Sequence, residues 1–470
     1  GKNFRTQMYP DAPGGGILRL HSTFRHDLKI RTSDEGRVMK TAAAFAKGLL
    51  ELEGEIPPIL VSLVHKDKDS VHMLDPSGNK EVKMELDECK ERVNVNLQRD
   101  IEFSETTVEE HEELVGPSEI TSLHEALRSV GNPRRTLTKI HNTIGALVLQ
   151  LEEMLGMMAS EDENQLDGEG LQGDEGNLAL CGVKLYKGET LLELTERWRF
   201  LYTHMYDEEK DWFDLSRIPD VHDNVRFDML HNPHIGLTST LEKLYELAKD
   251  MADCAVPQEY GTQISERRSI GTKMCEALLM KIKDDLIIAR TDNIIDMRYM
   301  INMEYGSDLP ITTMGRRIRT RLYFTSESHL HTLINVLRYC GSDNAASPLS
   351  EEGLAVLGDA PELCYLTQVI FRLFEDTRRE ADDPKRYRVE MLFSPGATAA
   401  PQHMAELDRD SDTTRFDSEP PQVIGRADLS CHEVEEFFAE CISEGHIEEE
   451  FIENTSATRD EVKRAKCADK

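Results

Sequence analysis

Leu18-Arg-Leu-His-Ser-Thr-Phe-Arg-His-Asp-Leu-Lys-Ile30 runs through Arg31 and Thr32 into Ser33-Asp-Glu-Gly-Arg37, and this junction decides the fold. Residues 16–24 and 27–32 alternate apolar and polar side chains, which predicts strands. Ser33 is placed to N-cap a helix, and Asp34 and Glu35 suit its positive end. Val38, Ala42, Phe45 and Leu49 then recur at helical spacing. A strand thus hands over to a helix, with Arg37 in the helix's first turn. The pattern returns nearly 300 residues later in Arg319-Thr-Arg-Leu-Tyr-Phe-Thr-Ser-Glu-Ser-His329-Leu-His331. There a strand at 319–324 precedes a helix at 329–339, and His329 stands at the handover.

Both stretches are basic islands. Residues 17–40 hold six Lys/Arg against three Asp/Glu, and residues 313–338 hold five Arg against one Glu. The 470-residue chain as a whole has 55 Lys/Arg against 88 Asp/Glu, a formal net charge of -33. A chain that repels anions over most of its surface but gathers Arg and His in two places reads as a binder of a small, highly charged anion.

The same charge excludes other partners. Nucleic acid calls for a basic stripe, and an anionic membrane surface for a basic face. No run of 18 apolar residues is present, so no transmembrane helix is expected. Nine cysteines without CxxC spacing read as reduced thiols in the cytosol or nucleus, and a cytosolic location is expected. No HExxH or Cys/His zinc pattern occurs, so no metal is expected. Gly1-Lys-Asn-Phe-Arg5 is neither a signal peptide nor a Met start, which reads as a piece of a longer parent.

The strand-like segments fall at the two ends of the chain. Residues 1–82 are expected to form the first part of an α/β core and 317–400 the second. Residues 83–316 read as a mostly helical cap, with an acidic, flexible loop near 159–180. Its clearest helix opens at Asn132-Pro133 and carries Leu137, Ile140, Ile144, Leu147 and Leu151. In the second core part, 361–375 is expected to be a helix and 386–393 a strand. Residues 401–470 carry 19 Asp/Glu against 8 Lys/Arg and read as a largely disordered tail, in which only 431–442 looks amphipathic.

Arg37 could grip phosphate oxygens bidentately, although an exposed Arg pairing with Asp34 or Glu35 is the commoner use. His329 sits where free backbone N–H groups attract anions, although a lone His is more often structural. Arg19, Arg25 and Arg321 are further phosphate-binding candidates, expected near one pocket lined by Arg37 and His329. Arg25-His26-Asp27 has the residue types of a nucleophile with neighbours, but its place in mid-ribbon argues against that role.

These strings resemble the phosphatase-like C-terminal domain of the diphosphoinositol pentakisphosphate kinases, the bifunctional inositol pyrophosphate kinase/phosphatases. The resemblance runs from His21–Ile30 and Ser33–Val38 through Ala42–Leu50 and Ile218-Pro-Asp220. It continues in Asp228 with His231-Asn232, in Pro257-Gln-Glu-Tyr-Gly261 and in Arg319–His329, and ends at Phe393-Ser-Pro-Gly396. It implies a histidine acid phosphatase fold, phosphoglycerate mutase-like, with a three-layer α/β core, a large helical cap and the first strand missing. In that superfamily an Arg-His-Gly motif supplies a nucleophilic His, a later Arg grips the same phosphate, and a second His completes the pocket. Arg37 and His329 fit the last two places. The nucleophile motif itself is absent from this sequence. Leu330 follows His329 where superfamily members often carry Asp or Ala-Glu as proton donor; Glu327 is the candidate here, with protonation from elsewhere as the alternative.

The implied function is removal of a β-phosphate from diphosphoinositol polyphosphates. The phosphorylation of inositol hexakisphosphate belongs to an N-terminal kinase domain that this sequence does not include, and ATP and Mg belong to that half; no cofactor is expected here. Gly14-Gly-Gly16 lacks the Lys and Ser/Thr of a nucleotide loop. The alternative is a non-catalytic module that binds inositol polyphosphates and tunes the attached kinase.

Overall fold

The computed structural model describes residues 1–8, 28–50, 64–65, 73–74, 80–118, 120–166, 185–290, 320–341, 346–358, 363–380, 382–398 and 418–443. After a short helix α1 (Lys2–Met8) comes strand β1 (Leu28–Thr32), in which Leu28, Ile30 and Thr32 are buried and Lys29 and Arg31 are half-buried. That alternation gives β1 one apolar and one cationic face. Helix α2 (Gly36–Leu49) lays Ala42, Ala46 and Leu49 on the apolar face, with Val38 buried a turn earlier and Phe45 wedged edge-on between Phe4 and Phe324. Its N-cap is Glu35 rather than Ser33, and no side-chain cap bond is made. Ser33 is still committed to the strand, because its amide donates to the Phe324 carbonyl at 3.1 Å.

Strand β2 (Val64–His65) and the later β5 (Thr320–Phe324) flank β1, all parallel, in the order β2-β1-β5. Parallel neighbours need long crossovers, and the one from β1 to β5 contains the helical layer. That layer comprises α3 (Lys80–Asn96), α4 (Val108–Val115), α5 (Thr121–Val130), the 34-residue α6 (Pro133–Leu166) and α7 (Leu191–Met205). A two-residue antiparallel pair, β3 (Tyr206–Asp207) and β4 (Trp212–Phe213), leads to α8 (Ile218–His231), α9 (Thr238–Ala255), a 3-10 turn (Val256–Tyr260) and α10 (Ile264–Arg290).

The helix starts follow from side chains. Thr107 with Glu110, and Thr190 with Glu193, form capping boxes on α4 and α7. Asn132 Oδ1 accepts from the Arg135 amide at 3.0 Å, ahead of Pro133 at the first helical position of α6. The stripe Leu137, Ile140, Ile144, Leu147 and Leu151 is fully buried and shares one core with Trp198, Val221 and Leu244.

After β5 come α11 (Glu327–Tyr339) and α12 (Glu351–Gly358). Residues 368–375 correct the expected helix at 361–375, because Gln368–Glu375 is strand β6. Val369, Phe371 and Leu373 pack on the second core, which is the period of a strand. Cys364 accepts from the Thr367 amide at 3.1 Å, with Leu366 at φ 67°, and this turn launches the strand. β6 pairs with β7 (Tyr387–Ser394), which also holds β8 (Gln422–Val423).

The tail expected to be largely disordered departs from that reading at 418–443. Residues 431–443 are helical, and Leu429, Cys431, Val434, Phe437, Phe438 and Cys441 enter a core with Leu337, Val389 and Phe393. The acidic residues of this segment are ordered by their partners: Glu435 by Arg290 at 2.6 Å, and Glu433 by the Ser430 amide at 2.8 Å.

Candidate active site

β1 and β5 are parallel and in register from Leu28↔Thr320 to Thr32↔Phe324, so their carboxyl ends share one edge. The Ser33–Phe324 hydrogen bond closes that edge. Two helices start just beyond it, α2 at Gly36 and α11 at Glu327. In open α/β sheets ligands bind outside the carboxyl ends of strands, and helix N-termini there favour anions. Neither Glu35 nor Ser326 makes a side-chain cap bond, so neither helix has its first amides occupied in that way.

Arg37 is in the first turn of α2. Its side chain is 78% exposed and its Nε donates to Glu35 Oε2 at 2.7 Å. That bond raises its pKa, with smaller contributions from Tyr365 and Asp223. These two neighbours come from elsewhere in the fold. Tyr365 lies on the turn before β6 and donates its hydroxyl to Asp223 Oδ2 on α8 at 3.2 Å. Burial and Asp223 push the Tyr365 phenol up to about 12. One turn along α8, the buried Arg226 donates to the Ala397 carbonyl and to Cys364 Sγ. Asp223, Arg226 and Tyr365 therefore join the helical layer to the core beside Arg37. The residue reading passed over them; the Asp223-x-x-Arg226 spacing, one polar face of α8 just after Ile218-Pro-Asp220, was the available signal.

His329 is in the first turn of α11 and only 1% exposed. Its carbonyl accepts from Cys275 Sγ of α10. The two helix starts are side by side, but Arg37 extends into solvent whereas the His329 ring is enclosed. Glu327 Oε1 lies 3.2 Å from His331 Nε2, and His331 stacks on Tyr260 with ring centres 5.0 Å apart. At about 100° of turn per residue, Glu327 and His331 leave α11 on the side opposite His329. Glu327 is thus engaged away from the ring it was expected to serve. On its side of the helix lies Glu259, 3.1 Å from Lys90. Burial raises the Glu259 pKa, and Glu327 adds to that while Lys90 and His331 oppose it.

Arg321 faces elsewhere. It pairs across from Lys29 on the cationic face of the sheet, and its Nε meets Asp285 of α10 at 3.1 Å. Tyr323 donates to the other Asp285 oxygen at 2.6 Å, and Lys281 also binds this carboxylate. Lys281, Arg321 and Arg31 gather around Asp285 under the sheet, with Lys29 beside Arg31, roughly 10 Å along β5 from its carboxyl end. Burial lowers the pKa of Lys281 and of Lys29. Arg19 and Arg25, and with them Arg25-His26-Asp27, lie outside the described residues.

Asp228 and Asn232 form a structural clamp. Asp228, 1% exposed, takes both Arg197 nitrogens at 2.9 and 3.2 Å and the Trp198 indole N–H at 2.7 Å, and Asn232 Nδ2 donates to it at 3.0 Å. Among the described residues no three His, Cys, Asp or Glu side chains gather as a metal site, and no helix is long and apolar enough to cross a membrane.

Residues 1–394 match the Histidine phosphatase superfamily (branch 2). The chain is 37% identical over 415 residues to inositol hexakisphosphate and diphosphoinositol-pentakisphosphate kinase 2 of Homo sapiens, covering 84% of this chain and 30% of that protein. It is 34% identical over 466 residues to the VIP1 kinase of the same description from Arabidopsis thaliana, covering 85% and 42%. A Caenorhabditis elegans kinase of that description is 35% identical over 418 residues, covering 84% and 29%. The chain spans less than half the length of these relatives. With a parallel sheet whose carboxyl edge carries Arg37 and His329 at two helix starts, and with a match over residues 1–394, the chain belongs to the histidine phosphatase superfamily, branch 2.

Proposed function

We propose that this chain is the phosphatase-like domain of an inositol pyrophosphate kinase/phosphatase, and that it binds diphosphoinositol polyphosphates and removes their β-phosphate in the complete protein. The observation that carries this reading is the pair of helix starts at the joined ends of β1 and β5, one bearing Arg37 and the other His329. A dense phosphate cluster there would meet amide donors and an exposed guanidinium whose hydrogen-bonding acid among the described residues is the half-buried Glu35. The relatives' names supply the substrate class, since they are kinases of inositol hexakisphosphate and diphosphoinositol pentakisphosphate. On this reading ATP, Mg and the kinase reaction are assigned to the part of the parent protein outside this chain. Seven buried or half-buried free thiols among the described residues fit a cytosolic protein.

A second reading is favoured by the enclosed His329 ring and by Leu330 after it. On that reading the domain binds inositol polyphosphates without hydrolysis and tunes the kinase. Phosphate release from diphosphoinositol pentakisphosphate by the complete protein, with and without Arg37→Ala, separates the two. Release that depends on Arg37 supports hydrolysis. Binding without release supports the regulatory reading, and neither binding nor release rejects both.

A further inference from the structure

The hairpin β6–β7 ends, at Glu375 opposite Tyr387, in an open cavity of about 410 Å³ lined on one side by Asp428 and Ser430. This end is roughly 24 Å along the strands from the turn beside Arg37. Five cationic side chains line it, Arg378, Arg379, Lys385, Arg386 and Arg388, against the carboxylates of Glu375, Asp376 and Asp428. In a chain of net charge -33 a lining with excess positive charge requires an explanation.

The carboxylates are largely spent on holding cations in place. Arg378 grips Asp376 with two bonds of 2.8 and 3.0 Å. Arg386 holds Glu375 at 2.7 Å, and the Tyr387 hydroxyl shares that oxygen at 3.3 Å. Arg379 takes Asp383 at 2.9 Å. Lys385 and Arg388 make no ion pair with a carboxylate within 4.0 Å among the described residues, and both are exposed. Arg388 lies 4.9 Å from the centre of the Phe374 ring, which Arg372 also faces at 5.0 Å. The aromatic ring and the forked pairs fix guanidinium groups around the cavity before any ligand arrives. Asp428, at φ 58°, is the one opposing charge without an Arg or Lys partner in this lining.

We propose that this hairpin cavity is a second anion site that takes a small molecule carrying clustered phosphate monoesters. Its volume lies within the range of small-ligand sites. Planar guanidinium groups suit phosphate oxygens. Glu380, Asp382 and Asp383 on the hairpin tip and the acidic remainder of the chain repel an extended polyanion or an anionic bilayer. That favours a compact ligand over nucleic acid or a membrane surface. The proposal does not rest on the catalytic reading, because no residue is shared between the two sites.

The test uses the complete protein carrying Arg37→Ala, which removes the first site's guanidinium. It is titrated calorimetrically with inositol hexakisphosphate, with and without Lys385→Ser plus Arg388→Ser, and the kinase half's own site, common to both proteins, is fitted as a shared separate site so that the comparison reads the hairpin alone. Exposed charge pairs each contribute a few-fold in affinity, so the double change should weaken binding by about tenfold. Added salt should weaken binding in the Arg37→Ala protein far more than in the triple variant. Equal affinity in the two proteins, with equal melting temperatures, overturns the proposal. A duplex oligonucleotide whose binding depends on Lys385 and Arg388 more strongly than that of inositol hexakisphosphate also overturns it. Co-sedimentation with phosphoinositide vesicles separates the sources: titration by the soluble probe without vesicle capture supports a compact free ligand, and Lys385/Arg388-dependent capture of vesicles overturns the proposal in favour of a lipid headgroup.

Discussion

The Ser33 amide donates to the Phe324 carbonyl at 3.1 Å, and through this bond the ends of two strands far apart in sequence become one edge. The placement of Arg37 and His329 at one edge follows from it. Arg37 comes four residues after Ser33 and His329 five residues after Phe324. The spacing from the joined edge is therefore similar on both chains, and both residues fall in the first turn of a helix.

Arg37→Ala should leave the fold intact, because an exposed pair such as Arg37–Glu35 contributes about 0–1 kcal/mol. Its effect should appear in ligand affinity, as a loss of about tenfold for a polyphosphate held by one charge-assisted grip. His329→Ala should behave differently. The ring is enclosed, so removal should cost about 1–3 kcal/mol of stability as well as any function. Denaturant unfolding beside calorimetric titration distinguishes the two. Equal stability losses would mean that Arg37 has a structural role not visible in its exposed position.

Asp228→Ala should be among the most damaging changes in the helical layer. It removes the acceptor of four hydrogen bonds and leaves Arg197, which is 24% exposed, with Glu189 as its remaining ion partner among the described residues and with Asn224 Oδ1, at 2.6 Å, as a further acceptor. Breaking such a pair from one side costs about 3–5 kcal/mol. Loss of cooperative unfolding or a drop of that size by urea denaturation is expected. A drop below about 1 kcal/mol would show that Glu189 and Asn224 suffice.

The α/β core was legible because β1, α2, β5 and α11 each declare themselves locally: alternation, a stripe at helical spacing, and a charged handover. Residues 361–375 were misread because Leu, Val, Ile and Phe in a short run fit either period, and the antiparallel partner that decides between them lies beyond a turn. The segment 418–443 was misread for another reason. Its net acidity is a composition signal, but Phe437, Phe438 and Val434 are placed by long-range packing, and Arg290 neutralises Glu435 from 145 residues away. Arg37 and His329 could be found from their position after strands. The Asp223-x-x-Arg226 spacing marks a polar face of α8, but its meeting with Tyr365 is not legible locally, because it depends on how the helical layer sits on the core.

Two glycines should give opposite results. An added methyl at Gly353 would sit 2.0 Å from the Ile424 carbonyl oxygen and 2.6 Å from its carbon, both backbone atoms. Gly353→Ala should force α12 away from the segment that carries β8 and cost about 1–3 kcal/mol. At Gly156, exposed within α6, nothing lies within 4 Å of the added methyl. Gly156→Ala should stabilise by roughly 0.5–1 kcal/mol. Melting temperatures of the two variants check both, and a neutral Gly353→Ala would mean that α12 does not need its present contact with Ile424.

Glu259 gives the protein a pH-dependent term of known sign. Burial raises its pKa above the ordinary 4.5, with Glu327 adding to the rise and Lys90 and His331 opposing it. The folded state therefore holds this proton more tightly than the unfolded chain does. The stability it confers is fully present below pH 4.5 and is lost as pH rises through the folded value. Glu259→Gln keeps the shape and removes the charge, while Lys90, half-exposed at 48%, returns to water. The variant should match the parent at low pH, exceed it at neutral pH, and show a flatter stability profile above pH 4.5. Urea unfolding across pH 4 to 8 measures this difference. A variant less stable than the parent at pH 7 would mean that the Lys90–Glu259 pair outweighs the burial of the carboxylate.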